Sequence, residues 1–327
     1  MPKALITTVP FADKDPLPLQ LLEKAGIEYL INPIGRKLQE DELAEMISDF
    51  DVLIAGTEPI SDKVMARAKN LKLISRVGIG LDSVDLLAAE KRGIHVSYTP
   101  DAPAPAVAEL TVGMMLTLLR HVHVASSQMH QGLWHRYFGR RISEITIGII
   151  GAGRIGRGVI DRLSSFKPRK ILVNDINSSH LFASMPWIQS ATKEEIYHQA
   201  DLISLHVPLT AQTKNMIRYE HLKTIKEDAI IINTSRGGII NEQDLARVLN
   251  EGHLDAAAVD VFEKEPYDGS LASIERCLLT SHMGSMSVDC RTRMEIEATE
   301  EAVRFLTGKP LQGLVPQEEY DVQRQGL

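Results

Sequence analysis

In the first hundred residues, short apolar runs alternate with segments in which apolar residues recur every three or four positions. The apolar runs are rich in β-branched side chains and predict strands: KALITTVP, IEYLINP, DVLIAG, LKLISRVG and IHVSYTP. The segments between them predict helices: LPLQLLEKAG, EDELAEMISDF, SDKVMARAKN and VDLLAAEKRG. Strands that alternate with helices in this way predict a parallel sheet covered by helices on both faces.

A proline- and alanine-rich segment, residues 100–107, interrupts this rhythm and is the predicted first crossing between domains. A long apolar helix from about Val107 to Gln131 follows, and the alternation resumes near Ile145. The later strands are predicted at DLISLHVP, AIIINTS, LDAAAVDV and CLLTSH, with helices at HLKTIKED and NEQDLARVLNEG. A last long helix, about Ser287 to Leu306, is expected to carry the chain back to the first domain.

Composition and charge narrow the class of protein. The chain has 327 residues, 44% hydrophobic and 24% charged, which is typical of a globular protein with about two domains. Its formal net charge of -7, without a long run of one sign, argues against nucleic acid or an anionic membrane as the main partner. The N-terminal apolar run is too short for a signal peptide, and Cys277 and Cys290 lack a metal-binding spacing. We therefore expect a cytoplasmic protein with two reduced thiols.

The most informative motif runs from Ile145 to Asp175, where an apolar strand leads directly into Gly151-x-Gly153-x-x-Gly156. Gly151 permits a tight turn, the missing Cβ of Gly153 lets the backbone approach a pyrophosphate, and Gly156 allows close packing of helix on strand. The helix N-terminus offers free N–H groups to phosphates. Glycine turns are common, but strand, glycines, helix, second strand and terminal acid in this order predict a dinucleotide site.

Cofactor choice follows from the charge at the end of that second strand. Asp175 can accept hydrogen bonds from a ribose hydroxyl and would repel the 2′-phosphate of NADP. Ile176 and Asn177 supply no arginine to bind such a phosphate. We predict NAD as the cofactor and an α/β fold of two doubly wound parallel-sheet domains. A Rossmann domain, residues 101–286, is inserted in a flavodoxin-like substrate-binding domain made of residues 1–100 and 287–327.

Three polar residues follow late strands of the cofactor domain: Arg236, Glu265 and His282. Taken singly, each is typical of a solvated strand end or a structural histidine. Together they suit hydride transfer at an alcohol carbon, because histidine can accept the proton and a carboxylate can orient its ring. A guanidinium can bind a substrate carboxylate or polarise a carbonyl. Since ligands bind outside the carboxyl ends of parallel strands, all three are expected in one crevice.

Seven ordered motifs carry a resemblance to a known family. They are RVGIGLDSVD at 76–85, AVAEL at 106–110, TIGIIGAGRIG at 146–156, DLISLHVPLT at 201–210, INTSRGG at 232–238, DVFEKEP at 260–266 and SHMGS at 281–285. Over nearly its whole length the chain resembles the D-isomer-specific 2-hydroxyacid dehydrogenases. The chain ends without the appended regulatory domain of a long-form phosphoglycerate dehydrogenase, which makes that form the less expected one.

The resemblance implies roles for individual residues. Arg236 would bind the substrate carboxylate and carbonyl, His282 would be the general acid/base, and Glu265 would support it. The implied cofactor contacts are Gly151, Gly153, Arg154, Ile155, Gly156, Asp175, His206, Pro208, Thr234, Asp260 and Gly284. Asp260 among them would hold the nicotinamide carboxamide. The glycine loop Val77, Gly78, Ile79 and Gly80 would hold the substrate carboxylate through its N–H groups, although an ordinary strand-to-helix turn is the alternative.

The sequence thus predicts a reversible NAD-dependent oxidoreductase acting on a small D-2-hydroxy or 2-keto acid. Phosphite or formate dehydrogenases share the implied fold, and a dinucleotide-sensing, corepressor-like binding protein would keep the same three polar residues. Both alternatives stay open, as does the side chain of the substrate. The residues Tyr98, Asp101 and Pro103 differ from those common in the family but leave the catalytic set intact.

A homodimer is implied by the resemblance. The helix from about Val107, with Met114, Met115 and Leu116, could supply its interface or could be a core helix, and periodicity does not distinguish the two. For Trp134 we favour interface packing over a place in the substrate pocket. The histidines at 121, 123, 130 and 135 cluster in sequence, but 121 and 123 cannot share a helical face and no acidic ligands accompany them, so no metal site is predicted.

Overall fold

Strands and helices alternate through residues 1–176 and 185–326, the part of the chain that this computed structural model describes. The strands, in chain order, are β1 (Lys3–Ile6), β2 (Glu28–Ile31), β3 (Val52–Ala55), β4 (Leu73–Arg76), β5 (His95–Tyr98), β6 (Thr146–Ile150), β7 (Lys170–Asn174), β8 (Ile188–Ser190), β9 (Leu202–Leu205), β10 (Ile230–Asn233), β11 (Ala256–Val259) and β12 (Cys277–Leu279). The helices are α1 (Leu17–Lys24), α2 (Glu40–Met46), α3 (Asp62–Arg67), α4 (Leu86–Lys91), α5 (Ala104–Leu119), α6 (Val122–His130), α7 (Arg154–Ser164), α8 (Lys193–Gln199), α9 (Tyr219–Thr224), α10 (Glu242–Asn250), α11 (Val288–Leu306) and α12 (Gln317–Arg324). None of these helices combines the length and the apolar character needed to cross a bilayer.

The chain divides into two compact units. The first comprises Met1–Pro103 with Met286–Leu327, and the second comprises Ala104–Ser285. In the first unit, five parallel strands follow the order β2-β1-β3-β4-β5. This is the flavodoxin-like doubly wound order, in which the strand order reverses between β1 and β3. The predicted fold of this part is confirmed.

Side chains of alternating strand positions build the core of the first unit. Leu5, Leu53 and Ile74 lie on one face of the sheet and pack with residues of α2, α3 and α4. On β4, Ser75 points the other way, where its hydroxyl donates to the carbonyl of Ala298 in α11 at 2.8 Å. A sheet covered on both faces explains why these strands are continuous apolar runs rather than alternating ones.

The second unit holds seven parallel strands in the order β12-β11-β10-β9-β6-β7-β8. The order reverses between β6 and β9, which makes this a Rossmann-type sheet, as predicted. Ile147 and Ile149 of β6 point into a core shared with α5 and α7, whereas Ile150 points into a second core shared with α8, α9 and α10. Because every strand is parallel, all carboxyl ends lie along one edge.

The predicted helix from Val107 to Gln131 is wrong in one respect, because it is two helices. α5 ends at Leu119, and His121 adopts a left-handed conformation with φ of 51° before α6 begins. Of the two alternatives left open for this segment, burial favours the core helix: Met114 and Met115 are buried in the core beside α7, and Leu116 is partly buried against the same core. α5 is therefore mainly a core helix.

Candidate active site

The glycine turn after β6 is built around close backbone contacts. Gly151 has a φ of 95°, and a Cβ there would collide with the carbonyl of His206, which follows the neighbouring strand β9. A Cβ on Gly156 would likewise press into the carbonyl oxygen of Gly151. The N–H of Gly151 donates to the carbonyl of Asn174 at 2.8 Å. The turn thus sits at the point where the strand order reverses, which is where doubly wound sheets bind nucleotides.

Gly153 differs from the other two glycines of the motif. It is the residue before α7, its φ is -71°, and a Cβ built on it would meet nothing within 4 Å. The missing side chain is therefore not demanded by the protein's own packing. An open space at a helix N-terminus, next to free N–H groups, fits the pyrophosphate of a dinucleotide. Arg154 and Ile155 begin the same helix.

Asp175 lies at the end of β7, where its Oδ2 accepts the N–H of Ala152 at 2.6 Å. The carboxylate therefore holds the glycine turn in place, and its contact with a ribose remains a prediction. Ile176, which follows it, is 99% exposed. Asn177, the other residue used to predict NAD over NADP, lies outside the described residues.

His282 and Glu265 are brought together as a hydrogen-bonded pair. Nδ1 of His282 lies 2.9 Å from Oε2 and 3.0 Å from Oε1 of Glu265, and Oε1 also accepts the N–H of Phe262 at 3.2 Å. An ionised carboxylate can only accept hydrogen bonds, so Nδ1 carries the proton and Nε2 is the nitrogen left for a ligand. His282 has a φ of 54°, an uncommon conformation that costs free energy and that clusters at functional sites.

Asp260 fastens the loop that carries His282. Its buried carboxylate accepts hydrogen bonds from Thr280 Oγ1 at 2.5 Å, Met283 N at 2.7 Å and Gly284 N at 2.8 Å. The N–H of His282 donates to the Asp260 carbonyl at 2.8 Å. This organising role was not predicted; the only signal was an acid at the end of a predicted strand. A contact with the nicotinamide carboxamide remains a prediction.

Arg236 is presented by a turn that Asn233 organises. Oδ1 of Asn233 accepts from Ser235 N at 3.1 Å and Ser235 Oγ at 2.8 Å, and its Nδ2 donates to the Arg236 carbonyl at 2.8 Å. Arg236 is half-buried, and its Nη1 donates to the Ser235 carbonyl at 2.7 Å. Asn233 was missed in the sequence, although an asparagine at a strand end is typical of such a turn.

Each of the predicted cofactor residues Thr234, His206 and Pro208 is held by a hydrogen bond with a neighbouring hydroxyl group. The hydroxyl of Thr234 is buried and lies 2.8 Å from that of Thr111 in α5. The His206 ring lies 2.9 Å from Ser204 Oγ, and burial lowers the pKa of His206 to about 3, so its ring is neutral at pH 7. The carbonyl of Pro208 accepts Thr213 Oγ1 at 2.6 Å. These side chains rigidify the edge rather than offer charge.

In the glycine loop of the first unit, two N–H groups donate hydrogen bonds within the protein and two are left for a ligand. Val77 N donates to the Ala55 carbonyl at 2.9 Å, and Gly78 N donates to Thr99 Oγ1 at 2.7 Å. For the N–H groups of Ile79 and Gly80, no acceptor lies within reach in the part of the chain that the structure describes. The predicted anion site in this loop therefore narrows to those two amides.

The clustered histidines contact aromatic side chains. The rings of His121 and His135 pack against Tyr137, with centroids 5.3 Å and 4.4 Å away. Nε2 of His123 lies 3.3 Å from the Glu275 carbonyl, and burial lowers its pKa. Over the described residues, no group of three or more His, Cys, Asp or Glu side chains could hold a metal ion.

Comparison with known proteins identifies the family. The model of the D-isomer specific 2-hydroxyacid dehydrogenase NAD binding domain matches residues 112–284, more than half of the chain. The chain belongs to the D-isomer specific 2-hydroxyacid dehydrogenases. This confirms the resemblance found in the motifs, and the cofactor of the matched domain is NAD, as predicted.

The curated relatives are named for different acids. The chain is 35% identical over 303 residues to a D-3-phosphoglycerate dehydrogenase of Methanocaldococcus jannaschii, covering 91% of this chain but only 57% of that protein. It is 34% identical to a hydroxypyruvate reductase of Thermotoga maritima, covering 87% of this chain and 96% of the relative. It is 36% identical to a glyoxylate reductase of Thermofilum pendens, covering 85% of each.

Two solved structures share the fold over almost the whole chain. The TT0316 protein from Thermus thermophilus superposes with a TM-score of 0.87 at 32% identity, covering 96% of this chain and all of that one. An NAD-dependent formate dehydrogenase from Staphylococcus aureus, in complex with NAD, superposes with a TM-score of 0.84 at 26% identity, covering 96% and 99% of the two chains.

The placement of Asp175 leads to a prediction about cofactor choice. Replacing Asp175 with Asn keeps an acceptor for the Ala152 N–H but removes the charge that a 2′-phosphate would meet. We expect the affinity for NADPH to rise by about tenfold, because relief of a repulsion of about 1.4 kcal/mol, below the ~4 kcal/mol limit for two charges ~4 Å apart near a protein surface, changes an affinity tenfold. Titration of NADH and NADPH fluorescence measures this, with Asp161→Asn on α7 as the charge-matched control. Equal affinity of the unaltered protein for both cofactors would contradict the assignment.

Proposed function

We propose that this chain is a reversible NAD-dependent oxidoreductase that acts on a small D-2-hydroxy or 2-keto acid. The observation that carries the proposal is the His282–Glu265 pair, with 2.9 and 3.0 Å contacts, at the same sheet edge as the Gly151 turn. A proton donor and acceptor beside a nucleotide-binding turn suits exchange between an alcohol and a carbonyl. The substrates in the relatives' names, glyoxylate, hydroxypyruvate and phosphoglycerate, are all of this class.

In the proposed mechanism each side chain has one task. When bound, NADH would supply a hydride to C2 of the keto acid in reduction, and oxidised NAD would accept one from C2 of the hydroxy acid in oxidation. Glu265 holds Nδ1–H of His282, so that Nε2 gives its proton to the carbonyl oxygen in reduction and takes it back in oxidation. Arg236 binds the substrate carboxylate, and its guanidinium lowers the cost of charge developing on the neighbouring oxygen. Asp260 keeps the histidine loop in place.

A panel of acids tests this proposal. Glyoxylate, hydroxypyruvate and phosphohydroxypyruvate are each mixed with NADH, and its consumption is followed by absorbance; formate and phosphite are tested with NAD in the other direction. We expect NADH oxidation with at least one keto acid. Tight NADH binding without turnover across the whole panel would favour a dinucleotide-sensing binding protein instead. Turnover of formate or phosphite alone would favour the other dehydrogenase class.

The two units are assigned by the same reasoning. We propose that residues 101–286 bind NAD and that residues 1–100 with 287–327 bind the substrate, whose carboxylate would meet the N–H groups of Ile79 and Gly80.

A cytoplasmic location agrees with the two free thiols of the chain, because reduced cysteines are typical of that compartment. Both thiols are buried, and burial raises the pKa of Cys277 to about 12 and that of Cys290 to about 11.

A homodimer is proposed on the basis of an exposed apolar arm. We use this name for the exposed apolar side chains between α6 and residue 138: Val122, Met129, Leu133, Trp134 and Phe138. Residues 133–140 form neither helix nor strand. Several large apolar side chains exposed within one short segment are typical of an interaction surface, and a two-fold dimer would cover the arm of each copy.

Replacing Phe138, which is fully exposed, with Asp tests the dimer. We expect the change to shift the protein from dimer to monomer in sedimentation experiments, because it places a charge in an apolar interface. Phe166→Asp, at an exposed phenylalanine beyond α7, is the matched control and should leave the dimer intact. A monomeric unaltered protein, or a dimer that tolerates Phe138→Asp, would rule out this surface.

A further inference from the structure

The strand order of the first unit marks a second position where a ligand is expected. The order reverses between β1 and β3, and in doubly wound sheets ligands bind at the carboxyl ends of the strands beside such a reversal. Thr7 and Thr8 follow β1 at this edge, and Gly56 to Glu58 follow β3. All of these side chains are buried except that of the exposed Thr57. None of them was singled out in the sequence.

Glu58 is a buried carboxylate with half of its hydrogen-bonding capacity unused. It is 1% exposed, and its Oε1 accepts hydrogen bonds from Thr7 Oγ1 and from Gly56 N, the latter at 3.1 Å. In the part of the chain that the structure describes, Oε2 has no hydrogen-bond donor and the carboxylate forms no ion pair. Oε2 is therefore the oxygen with which Glu58 can accept a hydrogen bond from a ligand.

The two arginines near this edge are directed elsewhere. Arg291 forms an ion pair with Glu295, with Nε 2.6 Å from Oε1, and its Nη2 donates to Thr8 Oγ1 at 2.7 Å. Arg76 turns its guanidinium toward the glycine loop, where Nη1 donates to the Val77 carbonyl. These hydrogen bonds of the two guanidinium groups thus go to Glu295, Thr8 and Val77, and Glu58 accepts its own from Thr7 and Gly56.

The glycine loop and Glu58 are close enough to share a small acid. The N–H of Val77 donates to Ala55, the residue before Gly56, and neighbouring strands lie about 4.8 Å apart. The Glu58 carboxylate is itself bonded to Gly56 N. An acid whose carboxylate is held by the amides of Ile79 and Gly80 would thus extend its C3 substituent toward β3.

We propose that Glu58 determines substrate specificity by selecting keto acids that carry a hydrogen-bond donor on C3 and by rejecting a phosphate there. The proposal rests on the proposed function. Oε2 accepts a C3 hydroxyl, whereas the charge of the carboxylate repels a phosphorylated C3. The three relatives are named for acids that differ at this position: phosphate in phosphoglycerate, hydroxyl in hydroxypyruvate, and no C3 in glyoxylate.

The test compares Glu58→Gln with the unaltered protein on these three keto acids. Glutamine keeps an acceptor for Thr7 and Gly56 but removes the charge. We expect kcat/KM for hydroxypyruvate to fall about tenfold, since a charge-assisted hydrogen bond becomes a neutral one. The value for phosphohydroxypyruvate should rise by about tenfold as the repulsion is lost. Glyoxylate, which has no C3, should stay within about twofold, because it cannot reach the altered group.

Controls separate specificity from folding. Glu301→Gln replaces another buried carboxylate of the first unit, one that caps the Gln312 and Gly313 N–H groups, and should leave the ratios unchanged. The unaltered protein alone should already prefer hydroxypyruvate to phosphohydroxypyruvate; the reverse preference would overturn the inference. So would an equal fall on all three acids with Glu58→Gln, which would indicate a structural role. If the unaltered protein turned over none of the three keto acids, glyoxylate included, the proposed function itself would be overturned and this inference with it.

Discussion

Replacing His282 with Asn should lower turnover of the keto acid by about 10²- to 10⁴-fold and leave NADH binding intact. The loss follows because Nε2 is the proton donor in reduction, and an amide cannot take its place. Asparagine is preferred to alanine here because His282 has a φ of 54°, a left-handed conformation that asparagine adopts more readily. Steady-state kinetics with NADH, together with fluorescence titration of NADH, measure the two quantities separately.

The matched variant is Glu265→Gln, which retains a side chain of the same size beside Nδ1. It should reduce turnover less than His282→Asn does, because the general acid remains but its orienting carboxylate is lost. Near-normal turnover of His282→Asn would exclude the histidine as the general acid/base. Loss of NADH binding in that variant would instead point to a collapse of the loop that Asp260 fastens.

Both sheets, apart from the short edge strand β8, could be predicted from sequence because strands covered on two faces are continuous apolar runs. β3, β9 and β10 are buried at every position. The break between α5 and α6 could not be predicted from sequence. Apolar residues continue at helical spacing around His121, and neither glycine nor proline marks the turn. A left-handed histidine is set by the packing on either side of it, and local propensity carries no sign of that packing.

The residues of the candidate site also include some that the sequence predicts and some that it does not. The positions of Arg236, Glu265 and His282 could be predicted because parallel strands bring their carboxyl ends to one edge. Hydrogen bonds between residues far apart in the sequence could not be predicted. The hydroxyl of Thr234, for example, is hydrogen-bonded to that of Thr111, which lies 123 residues away. Glu58 is the clearest case, because in the sequence it is an ordinary polar residue in a turn, and only its burial distinguishes it.

The glycine motif gives the second large expected effect. Replacing Gly153 with Ala should weaken NADH binding roughly 10- to 100-fold, because the methyl group would hold the pyrophosphate away from N–H donors whose charge-assisted bonds are worth about 1.5–3 kcal/mol each. The fold should be unharmed, since φ is negative and the added Cβ would meet nothing within 4 Å. NADH titration and thermal unfolding without cofactor measure these two effects.

Alanine substitutions at two other glycines serve as comparisons for Gly153→Ala. Gly156→Ala places a Cβ against the Gly151 carbonyl, so it should lower the unfolding temperature as well as NADH affinity. Gly113→Ala lies on the exposed side of α5 with nothing within 4 Å, so it should stabilise the helix by up to about 1 kcal/mol without affecting NADH. If Gly153→Ala bound NADH as tightly as Gly113→Ala does, the pyrophosphate could not lie against Gly153. The dinucleotide site would then have to be placed elsewhere along the sheet edge, even though the glycine turn keeps its geometry.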